Sequence, residues 1–506
     1  LATERAKVLI DCGMFQGSPN EAIRNRVPFA YDPREIDALL LTHAHLDHCG
    51  LIPHLANEGF RSPIHATHGT VELAELVLLD SGRLQEEFAK RSERWERRNP
   101  EEAAAEQRED LATFEAAVEQ AGAAERENGA GRDRDDEDVE RLLRGQPAEL
   151  EIDLDAPLYT EADARRSLAL FRPVDYGREF EAAPGVFATL LDAGHILGSA
   201  IIRLRVLGRE GGPERVVVFS GDLGRPGTPI IRDPTAVFDA DYVVCESTYG
   251  GREHEPQQEA VRILAETVRL VAEHDGVLLV PSFAIGRTQE IVWELDRLIE
   301  AGQIPLLPLY LDSPMASRAT EIYRRHAADY DPETQRLLAE GESPLDYPRQ
   351  IVTSQVQQSE AIRRAKRPYM IVASNGMLTG GRVVGHLREL IDDPSAVILF
   401  VGYQGEGTMG AHLQAGATTV KIDGVVREVR CAVRSISGFS AHADEGELLA
   451  WLANFTKGKR PGDPGHLRRV FLVHGDPEAQ VALEPKVRSL RLETHIPHWR
   501  ERVELG

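Results

Sequence analysis

The sequence predicts an α/β protein, with a mostly parallel sheet in its second unit. Short apolar runs of strand length alternate with helical stretches through most of the 506 residues. The apolar runs also repeatedly end in polar residues and glycine. A buried strand that delivers a polar loop at its end is how α/β folds assemble sites.

The elements follow in order. "KVLIDCG" and "DALLLTH" read as strands, and "TVELAELVLLDSGRLQEEFAKR" as a helix with one apolar stripe. Residues 91–155 break the pattern, being rich in Ala, Glu and Arg, strongly acidic and poor in aromatics. This stretch is expected to be a surface insertion, a solvated helix followed by a loop at "GAGRDRDDED". "GVFATLLDAGH", "ERVVVFSGDLG" and "ADYVVCESTYGG" resume the strands. From His254 onward a second α/β unit is expected. Its strands are "GVLLVPSFA", "PLYLDSP", "PYMIVASNGM" and "AVILFVGYQGEG", with helices such as "RTQEIVWELDRLIEAG" between them. "ISGFSAHADEGELLAWLANF" and "RRVFLVHGDPEAQ" then return to the style of the first part. The expected division is therefore 1–250, 251–436 and 437–506, with the last segment rejoining the first. No internal repeat is present.

Composition sets bounds. A chain of 506 residues is long enough for two or three domains. No apolar run reaches the roughly 18 residues that span a bilayer. The net charge of −24 argues against a basic nucleic-acid coat protein, but not against a nucleic-acid enzyme with a local cationic groove or bound metal. Cys12, Cys49, Cys245 and Cys431 are scattered and form no CxxC pair, which fits reduced thiols in a cytoplasm. The chain starts at Leu1, and "KVLIDCG" already reads as a second strand, so a preceding segment is expected.

The chemistry concentrates in "LLLTHAHLDHCG". His43, His45, Asp47 and His48 fall within six residues at the end of an apolar strand. Imidazole and carboxylate are the ligands of a borderline divalent ion such as zinc. On an extended segment alternate side chains point the same way, so His43 and His45 can share one ion. Asp47 and His48 come after the chain turns and can serve a second. One tetrahedral ion bound by all four would leave no position open for water, which suits a structural site. The two-ion arrangement needs further ligands, and His195, Asp222 and His474 each stand at the end of an apolar strand. A carboxylate between two cations can bridge them.

"DCGMFQG", "THAHLDHCG", "DAGHILGSA" and "FSGDLG" resemble the four motifs of the metallo-β-lactamase superfamily. "CESTYGG", "GFSAHAD" and "FLVHGD" resemble motifs A, B and C of its β-CASP branch. Within that branch the likeness is greatest to the RNA-processing group, that of the endonuclease subunit of the mRNA 3′-end cleavage machinery and its prokaryotic relatives. "PSFAIGRTQE", "LDSPMA", "ASNGMLTGG" and "GYQGEGT" are similar to the same group. The likeness covers nearly the whole chain except the acidic insertion, which is longer than expected for compact prokaryotic members.

The resemblance implies a metallo-β-lactamase αβ/βα sandwich with an inserted β-CASP α/β domain. It implies two Zn2+ ions, one held by His43, His45 and His195, the other by Asp47, His48 and His474, with Asp222 bridging. Asp11 would orient a ligand histidine. Glu246 would hydrogen-bond His442 and keep it poised as a proton donor. The implied activity is that of a ribonuclease, with single-stranded RNA as substrate and a two-metal-activated hydroxide as nucleophile. Cleavage would be endonucleolytic or from the 5′ end, leaving a 5′-phosphate and a 3′-hydroxyl. Homodimers are common in the group.

Two other readings keep the fold. A lactamase or glyoxalase-like hydrolase of small esters needs only the first four motifs and leaves the second α/β unit, Glu246 and His442 unexplained. In the DNA-repair β-CASP nucleases motif C usually lacks its histidine, whereas His474 is present here. Substrate contacts are expected at Ser282 and Arg287, where "SFAIGR" precedes a helix and Arg287 could grip a phosphate. Ser374, Asn375 and Gly376 are expected to let backbone pass close to substrate. Phe283 and Tyr403 are candidates to stack on bases.

Overall fold

The computed structural model describes residues 1–16, 22–127, 156–208, 212–405, 407–458 and 466–506. Its first unit pairs two sheets. Strands β1 (Val8–Ile10), β2 (Ala38–Leu40), β3 (Ile64–Thr67) and β4 (Phe171–Val174) form a four-stranded sheet in that order, parallel throughout. The second sheet takes β5 (Phe180–Ala183), β6 (Val186–Asp192), β7 (Ala200–Val206), β8 (Arg215–Phe219) and β9 (Tyr242–Glu246), which follow one another in space. The chain then leaves to build the second unit and returns beside β9.

The second unit is a six-stranded sheet built from β10 (Val277–Pro281), β11 (Leu309–Asp312), β12 (Gln350–Val352), β13 (Tyr369–Ala373) and β14 (Ala396–Phe400), then a hairpin, β15 (Thr419–Ile422) and β16 (Val425–Glu428), and finally β17 (Ala432–Ser435). The hairpin stands apart, and the sheet order is β12-β11-β13-β10-β14-β17, every pair parallel. Strands β18 (Arg469–Val473) and β19 (Thr494–His495) complete the seven-stranded sheet, with β18 pairing parallel to β9 and placing Val473 opposite Glu246.

Period-two alternation explains the layers. Ala38 and Leu40 face inward, with Val8, against Leu190, Ile202, Leu204 and Phe471 of the other sheet. Leu39 and Leu41 face out under Leu73, Leu76 and Val77 of the helix His68–Glu96. Each of the leucines Leu39 to Leu41 is fully buried, worth about 2 kcal/mol apiece in apolar burial. On the other flank Val218, Val243 and Leu472 lie under the helices Glu445–Leu452 and Pro477–Ser489. In the second unit Leu278 and Val280 join one apolar cluster while Val277 and Leu279 join another. Both faces of that parallel sheet are therefore covered, and its strands read as unbroken apolar runs.

The acidic insertion differs from the expected solvated excursion. The helix His68–Glu96 continues six residues into it, and a second helix spans Pro100–Glu127. Phe114, Ala117 and Ala121, at helical spacing, are buried against Val27, with Ile23, Val118 and Trp499 around them. Four apolar side chains on one face suffice to dock a helix that is charged elsewhere. The "GAGRDRDDED" loop lies outside the described residues. No described helix is long and apolar enough to cross a membrane.

Candidate metal centre

Strand ends deliver their following loops to one edge of the sandwich: β1 and β2 belong to the parallel sheet, β6 is antiparallel to both its neighbours, and β8 and β18 each pair parallel with β9. Asp11 follows β1, and its amide bonds to Leu40 of β2. Beyond β2, Leu41, Thr42 and His43 belong to no regular element. His45, with φ −70° and ψ 152°, starts the short helix Leu46–Cys49 that carries Asp47 and His48. The short helix sets Asp47 and His48 apart from His43 and His45. Gly13 is required at this point, because a Cβ there would lie 1.6 Å from the Asp47 carbonyl oxygen.

Two donor groups result, and a third, Glu246 with His442, shares Asp222 with the first. His43, His45, His195 and Asp222 bring one ligand atom each to within 4.8 Å of one another, and so do Asp47, His48 and His474. In the first group His45 Nδ1 lies 3.0 Å from His43 Nε2 and 3.2 Å from His195 Nε2. In the second His48 Nε2 is 3.3 Å from His474 Nε2, and His474 Nε2 is 3.5 Å from Asp47 Oδ2. Asp222 stands between them. Its Oδ2 is 3.5 Å from His43 Nε2 and 3.6 Å from His195 Nε2, and its Oδ1 is 3.3 Å from His48 Nε2.

These residues fit divalent ions. Asp222 is 2% exposed, yet among the described residues its Oδ1 has no hydrogen-bond partner. A buried carboxylate oxygen left without a donor is costly. Imidazole nitrogens this close to one another and to carboxylate oxygens suit a borderline divalent cation.

Outer partners fix the rings. Asp11 Oδ2 accepts from His48 Nδ1 at 2.7 Å, while its Oδ1 accepts from the Thr42 amide at 2.7 Å. His195 Nδ1 donates to the Ala441 carbonyl at 3.2 Å, and His474 Nδ1 lies 3.1 Å from Thr248 Oγ1. Each of these rings keeps its Nε2 for the centre. Burial, helped by neighbouring imidazoles, holds His43 and His195 well below the usual histidine range and brings His45 to about 4, so these rings stay neutral. Burial opposes charge on His48 and His474 too. There Asp222 outweighs it, with Asp11 at His48 and Asp47 at His474, raising His48 well up and His474 to about 9. Asp222 and Asp47 are held low against their own burial, chiefly by the surrounding histidines.

A second constellation adjoins the first. Glu246, 1% exposed at the end of β9, presents both carboxylate oxygens to His442 Nδ1 at 3.2 Å. The carboxylate is fixed by the Leu223 amide at 2.7 Å and the Thr248 amide at 3.3 Å. His442 Nε2 points inward, 3.9 Å from Asp222 Oδ2. Burial disfavours its charged form, but Glu246 and Asp222 prevail and raise its pKa.

The weaker sequence candidates divide. Arg287 is not presented as a phosphate clamp. It is 4% exposed and ion-paired with Glu290 three residues along its own helix. Ser282 is likewise buried and accepts from Thr288 Oγ1 at 3.1 Å. Ser374 Oγ donates to Ser313 Oγ at 3.0 Å, and Asn375 binds Thr379 and the Met377 amide. Gly376 packs on Phe283, whose ring is 6.5 Å from that of His45, so both segments border the metal centre. The Tyr403 hydroxyl donates to Asp476, and the ring meets Tyr249 edge-on. Sequence reasoning missed Thr42, Thr248 and the Ala441 carbonyl. Thr42 and Thr248 lie inside motifs already quoted, whereas a main-chain carbonyl leaves no residue-type signal.

Residues 1–124 match the metallo-beta-lactamase superfamily, residues 288–413 the Beta-Casp domain, and residues 426–497 the Zn-dependent metallo-hydrolase RNA specificity domain. Ribonuclease TTHA0252 of Thermus thermophilus is 34% identical over 485 residues, 96% of this chain and 91% of its own. Transcription termination factor FttA is 28% identical in Methanosarcina mazei, over 98% of this chain and 67% of the relative. In Pyrococcus horikoshii it is again 28% identical, over 99% and 68%. A solved B3 metallo-β-lactamase is similar over 43% of this chain and 53% of its own, at 18% identity and a TM-score of 0.21. The chain belongs to the metallo-β-lactamase superfamily and, within it, to the β-CASP ribonuclease family.

Proposed function

We propose that this chain is a two-zinc ribonuclease that hydrolyses phosphodiester bonds of single-stranded RNA. The observation that carries the reading is Asp222, whose two oxygens face two separate donor groups beside the Glu246–His442 pair. His43, His45 and His195 would hold one ion, and Asp47, His48 and His474 the other. Ions held there would lower the pKa of a bound water and would polarise a phosphoryl oxygen.

The remaining roles fall to the chain itself. Asp11 and Thr42 keep His48 and its neighbours in register. Glu246 holds the Nδ1 edge of His442, leaving Nε2 to give its proton to the departing 3′ oxygen. That step yields a 5′-phosphate and a 3′-hydroxyl. The segment 251–436 forms the β-CASP unit, flanked by 1–250 and 437–506 of the lactamase unit. Its loops at Phe283 and Gly376 border the metal centre and would meet the substrate there. RNA is preferred to DNA on the presence of His474, the match to an RNA specificity domain and the relative named as a ribonuclease. Four buried, unpaired thiols support a cytoplasmic site of action. A homodimer in solution belongs to the same proposal, by likeness to the group.

The test is incubation of zinc-loaded protein with end-labelled single-stranded RNA and DNA of one sequence. Internal cuts in RNA support the reading, and a 5′ ladder assigns the exonuclease mode. Turnover of a small ester with neither polymer cleaved contradicts it.

A further inference from the structure

We infer that Tyr323 is a positioning residue for His195, so that seating of the second unit on the first is coupled to metal binding in the His43–His45–His195 pocket. This rests on the two-zinc reading above. His195 sits on the short connection between β6 and β7. The two residues after it, Ile196 and Leu197, are each 1% exposed. They enter an apolar cluster shared with Ile285, Trp293, Ile322 and Tyr323 of the second unit.

The grip is polar as well as apolar. The Leu197 amide donates to Tyr323 Oη at 3.2 Å, with both residues buried. Gly286, at φ 79°, lets the second unit approach this closely, since a Cβ there would lie 2.8 Å from Ile196 Cγ2. Beyond the cluster, Glu72 of the first unit pairs with Arg325 and with His326, the latter at 3.0 Å, clamping the helix that carries Tyr323. The backbone two residues from a metal ligand is thus anchored on the other unit. Loss of the tyrosine hydroxyl leaves a buried amide unpaired and frees the ligand loop. By linkage, an ion that needs His195 in place also favours the seated arrangement.

Tyr323→Phe removes the hydroxyl and keeps the ring. Tyr330→Phe is the control, since Tyr330 lies in the same cluster and its buried hydroxyl has no hydrogen-bond partner among the described residues. Zinc affinity is measured by competition with a chromophoric chelator, with cobalt substitution for the absorption spectrum of each site. Tyr323→Phe is expected to weaken one of two ions about tenfold, the effect of one unpaired buried donor, and to alter one cobalt band. The other ion stays unchanged, and Tyr330→Phe behaves as wild type. Equal loss of both ions, or of neither, overturns the inference. Hydrogen exchange on the wild type gives an independent readout. Zinc removal is expected to speed exchange of the Leu197 amide, and an unchanged rate also overturns the coupling. A wild type that holds fewer than two ions overturns the two-zinc reading instead, and this inference with it.

Discussion

Glu246 meets His442 Nδ1 with both carboxylate oxygens at 3.2 Å, inside a pocket where the carboxylate is 1% exposed. Burial alone would keep this imidazole neutral. The carboxylate reverses that and raises the pKa, so the ring is cationic over a wider range and able to donate a proton.

Glu246→Gln therefore shifts the pH–rate profile in a defined direction. Removing the negative charge lowers the His442 pKa, so the alkaline limb of kcat/KM moves to lower pH. The profile is measured on zinc-loaded protein from pH 5.5 to 9.5. An unmoved alkaline limb would show that Glu246 does not set the charge of His442.

Asp222→Ala removes the group that faces both donor sets. The variant is expected to lose metal as well as activity, measured by elemental analysis after dialysis against buffered zinc. A full zinc complement in the variant contradicts the bridging role.

Glu294 gives a stability prediction away from the metal centre. It is 3% exposed, and burial with the nearby Glu290 raises its pKa to about 8. The folded state thus binds its proton more tightly than the unfolded chain does. Stability from this group is full below pH 4.5 and is lost as pH rises towards about 8, a change on the order of a few kcal/mol. Glu294→Gln should flatten the fall in Tm between pH 6 and 8.5. Parallel curves for the two proteins would remove Glu294 as the cause.

The helix Pro100–Glu127 should detach locally when its apolar stripe is cut. Phe114→Ala deletes the largest side chain of that stripe, a loss of about 3 kcal/mol. Faster hydrogen exchange across residues 22–27 and 100–121 with unchanged zinc content is expected. Unchanged exchange would mean that the helix does not rest on the Val27 segment.

Much of this was legible in the sequence because strand ends carry the chemistry. His43, His45, Asp47, His48, His195, Asp222 and His474 each follow an apolar run, and the ends of those runs come together at one edge, although β6, before His195, is antiparallel to both its neighbours. What stayed hidden depended on which partner a side chain takes, near or far in the chain. Arg287 looked free in "SFAIGR", but its guanidinium meets Glu290 one helical turn on, a pairing the spacing allowed but did not require. The apolar stripe of the insertion is only four residues among many charges. Its burial depends on Val27 and Trp499, far away in the chain.

The most direct test of the central claim compares zinc content and RNA cleavage in His442→Ala and the wild type. His442 is proposed as proton donor and not as ligand. Both proteins should carry two zinc ions per chain, and the variant should cleave single-stranded RNA slower by about a hundredfold to ten-thousandfold. A variant that loses zinc, or that cleaves at the wild-type rate, contradicts the account.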